Sequence, residues 1–142
     1  MKKTLFHVLL LCLVSTYGQR QAANWYFGEN AGIRFDANNN IAALNDGQLN
    51  TIEGCSSISD NDGNLQFYTD GKTVYTSTHA IMQGGTNLVG DESSTQTAIV
   101  VPRPNNPNIY YIFTVGSNNS NNGMKYSVVD MSMNGGLGQV TI

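Results

Sequence analysis

Several groups of residues in this chain have the types and spacing from which chemistry is built, and each stops short of a complete site. Asp60-Asn61-Asp62-Gly63-Asn64 sets oxygen side chains at alternate positions, as calcium loops begin. Leu65 then stands where an EF-hand needs its sharp-turn glycine, and Gly71 where it needs a bidentate glutamate. A match to the Asp-box turn of propeller hydrolases slips by one residue at Phe67. The pentapeptide therefore reads as a polar hairpin whose Asp and Asn cap their own backbone. His79 lies in Thr78-His79-Ala80 with no companion at ligand or triad spacing, so it reads as a surface or strand-edge residue. A zinc site would need Cys55 and carboxylates from distant strands. Asp91-Glu92 are adjacent acids in a Gly- and Ser-rich link, where solvation is the ordinary use. Ser93 and Ser94 lack a G-x-S-x-G elbow, and Gly135-Gly136-Leu137-Gly138 lacks the strand-to-helix context of a phosphate loop. The sequence thus assigns no catalytic residue, no metal ligand and no cofactor site.

The elements that must position these groups are short strands punctuated by turns. Asp46-Gly47, Asp62-Gly63, Asp70-Gly71, Asn122-Gly123 and Asn134-Gly135 mark candidate turns, and Asp62-Gly63 and Asp70-Gly71 suit type I′ hairpins, which need positive φ at both central residues. The runs between them carry strand formers instead of a helical apolar period, and predict strands at 25–27, 33–36, 55–59, 65–69, 73–76, 98–101, 109–115 and 124–130. Residues 53–82 read as a β-meander. Ala98-Ile99-Val100-Val101 and the run 109–115 are continuously apolar, which predicts burial of both strand faces. The proline-rich connector 102–108 between them is kept from pairing by Pro102, Pro104 and Pro107.

Compartment follows from the first residues. Lys2 and Lys3 precede an apolar run, Leu5 to Val14, and Ser15 to Gly18 supply small and polar residues, the tripartite form of a Sec-type signal peptide with cleavage expected near Gly18-Gln19. The run is shorter than the roughly 20 residues of a membrane-spanning helix. Leu11 before Cys12 does not suit a lipoprotein anchor. Cleavage removes Lys2, Lys3 and Cys12, leaving a chain more acidic than the formal net charge of −3, an argument against nucleic acid or an anionic membrane as partner. Cys55 is then alone, cannot form an internal disulfide, and reads as a small core residue, since its nearest charge is Glu53 and not a basic group.

The organisation that emerges is a signal peptide at 1–18, N-terminal strands at 19–52 and a β region at 53–142. The fold class is all-β: short antiparallel meanders forming about two propeller-like blades of an incomplete ring, with a β-sandwich as the alternative. Two similar units, 53–82 and 97–142, suggest blades, and two blades do not close a ring of at least four. The end Gln139-Val140-Thr141-Ile142, apolar and strand-like, suggests the front part of a longer protein.

Four ordered runs carry a resemblance: NWYFGENAGIRFD at 24–36, ALNDGQLNTIEGCSSISDNDGNLQFYTDGKTVY at 43–75, SSTQTAIVVPRPNNPNIYYIFTV at 93–115 and YSVVDMSMNGGLGQV at 126–140. Together they resemble the N-terminal region of large Bacteroidota surface proteins that end in a type B sorting domain of the type IX secretion system, often called gliding-motility-associated C-terminal domain proteins. The resemblance implies a β-propeller-like N-terminal region, later repeats and a C-terminal export signal, and it implies the secretion machinery as partner of a full-length version. It brings no catalytic residues with it.

Function is read from what remains. Trp25, Tyr26, Phe27, Tyr68, Tyr75, Tyr110 and Tyr111 have the chemistry of a carbohydrate- or peptide-contacting surface, although packing between sheets calls on the same side chains. The Asn-rich stretches 38–40 and 118–122 read as solvated loops, and Asn118-Asn119-Ser120 is a glycosylation sequon of little meaning in a bacterium. With charged residues at only 12 % and no catalytic constellation, the reading favoured is a secreted or cell-surface module for binding, adhesion or display, its ligand a carbohydrate or a protein. The alternative is part of a propeller-borne hydrolase whose remaining site residues lie in further blades.

Overall fold

The structure is a computed structural model that describes residues 20–117 and 123–141. The expected signal peptide, the sequon at 118–120 and Asn122 lie outside the described residues. The chain is all-β: ten strands with no α-helix among the described residues, in three antiparallel sheets. The first sheet holds β1 (Asn24–Tyr26), β2 (Gly32–Phe35) and β3 (Ile41–Leu44) in chain order. The second holds β4 (Ser56–Ser59), β5 (Leu65–Thr69) and β6 (Val74–Thr76). The third is a four-stranded meander of β7 (Ala98–Pro102), β8 (Ile109–Val115), β9 (Met124–Asp130) and β10 (Gln139–Val140). The first strands of successive sheets meet, β1 against β4 and β4 against β7. At the first of these seams the buried Asn24 side chain donates to Ser59 Oγ at 2.9 Å and to the Gly63 carbonyl at 2.9 Å, while Ser57 Oγ donates to the Asn24 carbonyl at 2.9 Å.

One turn is used twice. Asp36 closes β2 into β3 by accepting the backbone N–H groups of Asn38 and Asn40 on Oδ1, and the Asn40 side-chain amide on Oδ2. Asp60 closes β4 into β5 in the same way with Asp62 N–H, Asn64 N–H and the Asn64 amide. The left-handed residue falls at the fourth position of each loop, Asn39 at φ 62° and Gly63 at φ 87°. This corrects the expected type I′ geometry at Asp62-Gly63 and Asp70-Gly71, where only the glycine has positive φ. The physical reason is that the carboxylate accepting backbone N–H groups ahead of it, Asp60 from Asp62 and Asn64 and Asp70 from Lys72 and Thr73, starts the turn and does not sit at its centre. At Asn134-Gly135 both residues do take positive φ, 51° and 66°.

Strand β3 has no strand signature: Ile-Ala-Ala-Leu is weakly β-forming and mostly exposed. The Asp36 turn folds it back onto β2, where Ile41 faces Phe35 and Leu44 faces Gly32. The main core lies between the second and third sheets and joins Ile58, Phe67, Val74, Met82, Ala98, Tyr110, Ile112, Val129 and Met131. Burying both faces of β7 and β8 is not what the fold does. Burial alternates along them, with Ile112 and Thr114 inside while Ile99 and Val101 are 46 % and 38 % exposed. The apolar residues of the far face pack on each other instead: Tyr111, Phe113 and Tyr126 form a ring cluster with centroids 6.2–6.3 Å apart.

The turn chemistry also settles how the Asp60 loop treats cations. Each Asp60 oxygen is already engaged by N–H donors; burial acts to raise its pKa, but Asn64, Asp62 and Gly63 outweigh it and hold the carboxyl below its usual range. A cation would have to displace those donors, and no group of three or more His, Cys, Asp or Glu converges anywhere among the described residues. Thermal melts in calcium and in chelator are expected to coincide within about 2 °C, since a 1 kcal/mol gain would move Tm by about 4 °C or more in a chain of this size. A larger upward shift would mean that the loop recruits further oxygen ligands.

Candidate functional site

His79 is where the structure departs most from the sequence reading. It is not a solvated edge residue: its side chain is 23 % exposed, its backbone is left-handed at φ 65°, and its ring joins a polar cluster between the first two sheets. Tyr68 Oη lies 3.0 Å from His79 Nδ1, and His79 Nε2 lies 3.4 Å from Asp46 Oδ2. The other oxygen of Asp46 accepts from Tyr26 Oη at 3.1 Å. Tyr68 Oη also accepts the Gln48 backbone N–H at 3.2 Å, and which of Tyr68 and His79 donates in their contact depends on the imidazole tautomer.

Three strands and two connecting turns make this possible. Alternation along β1 and β5 sends Tyr26 and Tyr68 inward, where their rings stack at 4.4 Å, and Tyr75 of β6 stacks on Tyr68 from the other side at 5.3 Å. The loop after β3 delivers Asp46 and the tight turn after β6 delivers His79, whose N–H donates to the Thr76 carbonyl. Among the described residues, nothing at sequence level ties Asp46 to His79; their meeting depends on the first sheet leaning on the second.

Asp46, His79 and Tyr68 stand in line through successive polar contacts. Tyr68 is fully buried, and burial pushes its hydroxyl pKa up to about 12. Tyr26 is raised further still, by burial first and then by the hydrogen-bonded Asp46 carboxylate. Burial thus favours the protonated form of both phenols. The cluster acts as a polar buttress that fixes two loops over the stacked tyrosines. Beside it a shallow cleft of about 260 Å³ is lined by Arg34, Asp46, Asn64, Ser77 and His79 among others.

The aromatic residues singled out in the sequence divide cleanly. Tyr26, Tyr68 and Tyr110 are core, and Tyr75 packs against them or their neighbours. Trp25 and Phe27 point the other way along β1 and its extension, 44 % and 37 % exposed, and form edge-to-face contacts at 6.3 Å with each other and at 6.1 Å between Trp25 and Phe35. Trp25 Nε1 donates to the Ala22 carbonyl at 2.7 Å, which fixes the indole. Ile33, Ile41 and Ala43 share this uncharged sheet face by register with Trp25 and Phe35. Two depressions flank Phe27 and share it with Cys55: one of about 360 Å³ bounded by Trp25, Ser56 and Ser57, the other of about 390 Å³ bounded by Asn50, Thr51 and Glu53. Cys55 is partly buried beside the Tyr26, Leu49 and Tyr68 cluster; burial first, then the Asp70 carboxylate, pushes its thiol pKa up, so it is a packing residue at the floor of this face.

Ser93 and Ser94 line a separate depression of about 530 Å³ with Thr95, Gln96, Val115, Gly116 and Ser117, with no base nearby among the lining residues. Asp91 is held low in pKa by the hydroxyl and then the N–H of Ser93, and Glu92 lies 3.7 Å from Lys72 as an exposed ion pair. No helix among the described residues is long and apolar enough to cross a membrane. No family model matches the chain, no curated protein is significantly similar to it, and no solved structure matches it.

Proposed function

We propose that this chain is a secreted or cell-surface module that binds an external ligand and performs no catalysis of its own. The observation that carries this reading is the exposed, uncharged aromatic face of the first sheet, Trp25 and Phe27 flanked by two depressions. Exposed aromatics held in place by their neighbours supply binding energy at low entropic cost, and a monomer gains nothing from leaving them in water. The chain of polar contacts from Tyr26 through Asp46 and His79 to Tyr68 supports the same reading, because these groups engage one another. The signal-peptide pattern at 1–18 and the resemblance to type IX-secreted surface proteins support an extracytoplasmic location. The successive contacts of β1 with β4 and β4 with β7 support consecutive propeller-like blades.

The test is surface binding by the immobilised mature chain, measured by interferometry against cell-envelope glycans and envelope proteins. Saturable binding is expected to fall at least tenfold in the Trp25→Ala/Phe27→Ala double variant and to persist in His79→Ala, with circular dichroism confirming folded protein. Binding unaffected by the double variant would overturn the assignment to this face. Release of cleaved glycan, abolished by His79→Ala, would establish the hydrolase alternative instead.

A further inference from the structure

We propose that the face around Phe27 is a binding site for neutral sugar units of a glycan, with Trp25 and Phe27 as stacking surfaces and Thr51 as a hydrogen-bonding group beneath them. The inference rests on the binding-module reading and specifies its ligand. Four features carry it. The first is shape: two depressions of about 360 and 390 Å³ adjoin each other, both lined by Phe27 and Cys55, so neighbouring sugar units have two adjacent places to sit. A pyranose presents a face of C–H groups that packs on the electron-rich face of an aromatic ring, and the indole of Trp25 is pinned in advance by its bond to Ala22.

The second feature is an unpaired polar group. Thr51 lines the second depression, is only 7 % exposed, and its Oγ1 is buried without any hydrogen-bond partner. Leaving such a hydroxyl unmet costs about 1–3 kcal/mol. Bringing the hydroxyl to a sugar oxygen in the depression requires rotation about its Cα–Cβ bond, which carries Oγ1 to another staggered position. The backbone is built around this residue: a Cβ on Gly28 would collide with the Thr51 carbonyl oxygen, so only glycine allows the β1 extension to lie against it.

Charge is the third feature. Glu29 and Glu53 line the second depression and no Lys, Arg or His lines either one. Carboxylates, the Asn50 amide and the Ser56 and Ser57 hydroxyls accept and donate to neutral sugar hydroxyls, whereas two carboxylates repel uronic, sulfated or phosphorylated glycans. The fourth feature concerns the strand beside Phe27: β1 is paired with β2 on one side and lies against β4 on the other, so it presents no free ladder of N–H and C=O groups there, and the open edge of this sheet is β3, across from it.

Trp25 is the chain's single tryptophan, so its emission reports directly on the groove. The mature chain is titrated with neutral oligomers of glucose, mannose and N-acetylglucosamine and with oligogalacturonate as the acidic control. At least one neutral oligomer is expected to shift and quench Trp25 emission saturably, with no response to oligogalacturonate. Thr51→Val is expected to weaken that binding about tenfold with Tm unchanged or raised, because it removes the unmet hydroxyl at constant shape. No response to any neutral oligomer, an equal response to oligogalacturonate, or full affinity in Thr51→Val would overturn the proposal. If envelope protein shifts Trp25 emission where the oligomers do not, the sugar assignment fails and the binding-module reading stands; if neither does, both fail.

Discussion

Phe67→Ala is expected to lower the unfolding free energy by about 3–5 kcal/mol, a large part of the 5–15 kcal/mol that holds a typical domain. Phe67 is fully buried on β5 and meets Tyr110 of β8 edge to face at 5.4 Å, so it is a central contact of the core that the second and third sheets share. Truncation opens a void walled by Ile58, Val74, Ile112 and Val129, which are tied into their own strand pairs and relax into it only partly. The urea midpoint should fall with the slope retained. Ile41→Ala on the exposed edge strand β3, where Ile41 is 67 % exposed, should change stability by no more than about 0.5 kcal/mol. A Phe67→Ala loss below about 1 kcal/mol would show that the two sheets do not share this core.

Alkaline unfolding is the second large effect. Tyr68 moves from 10.0 to about 12 in the folded chain because it is buried, and Tyr26, Tyr75 and Tyr110 are all raised, burial being the first cause in each. An acid whose folded pKa lies above its unfolded one contributes its full stability below the unfolded value and loses it as pH rises through the folded value. In the window from pH 10 to 12 the unfolded chain releases tyrosine protons that the native chain keeps, so native stability falls. Tyr68 alone accounts for on the order of 2–3 kcal/mol of that loss. Circular dichroism with tyrosinate absorbance should show ionisation and unfolding arriving together above pH 10, and Tyr68→Phe should make the fall shallower. Tyrosines titrating normally in a protein that stays folded would contradict the buried stack of Tyr26, Tyr68 and Tyr75. The acid side has the opposite sign: Asp36, Asp91 and Asp130 are held low by the side chains of Asn40, Ser93 and Ser132, so whatever they contribute is lost as pH falls through their folded values.

Local chemistry was legible wherever local chemistry decides structure. Strands β5, β8 and β9 begin and end where the runs 65–69, 109–115 and 124–130 predict, because β-branched and aromatic residues there are bounded by Asp, Asn, Gly and Pro whose preferences act over a few residues. The all-β class follows from the same punctuation, and so does the self-capped reading of the Asp60 loop. Strand β3 was not legible, since Ile-Ala-Ala-Leu acquires its conformation from the Asp36 turn and from pairing with β2. Continuous apolarity overstated the burial of β7 and β8, because a run such as Ile-Tyr-Tyr-Ile-Phe also suits a face whose aromatics cover one another. What only the tertiary structure decided is which side chains meet. The His79 ring has no side-chain partner within its own segment; it finds Tyr68 on β5 and Asp46 on the loop after β3. Likewise the sequence presents Trp25, Tyr26 and Phe27 as three equivalent aromatics. Strand alternation must separate the middle one from its neighbours, but which face turns inward is set by where the second sheet lies, a long-range contact that no spacing along the chain encodes.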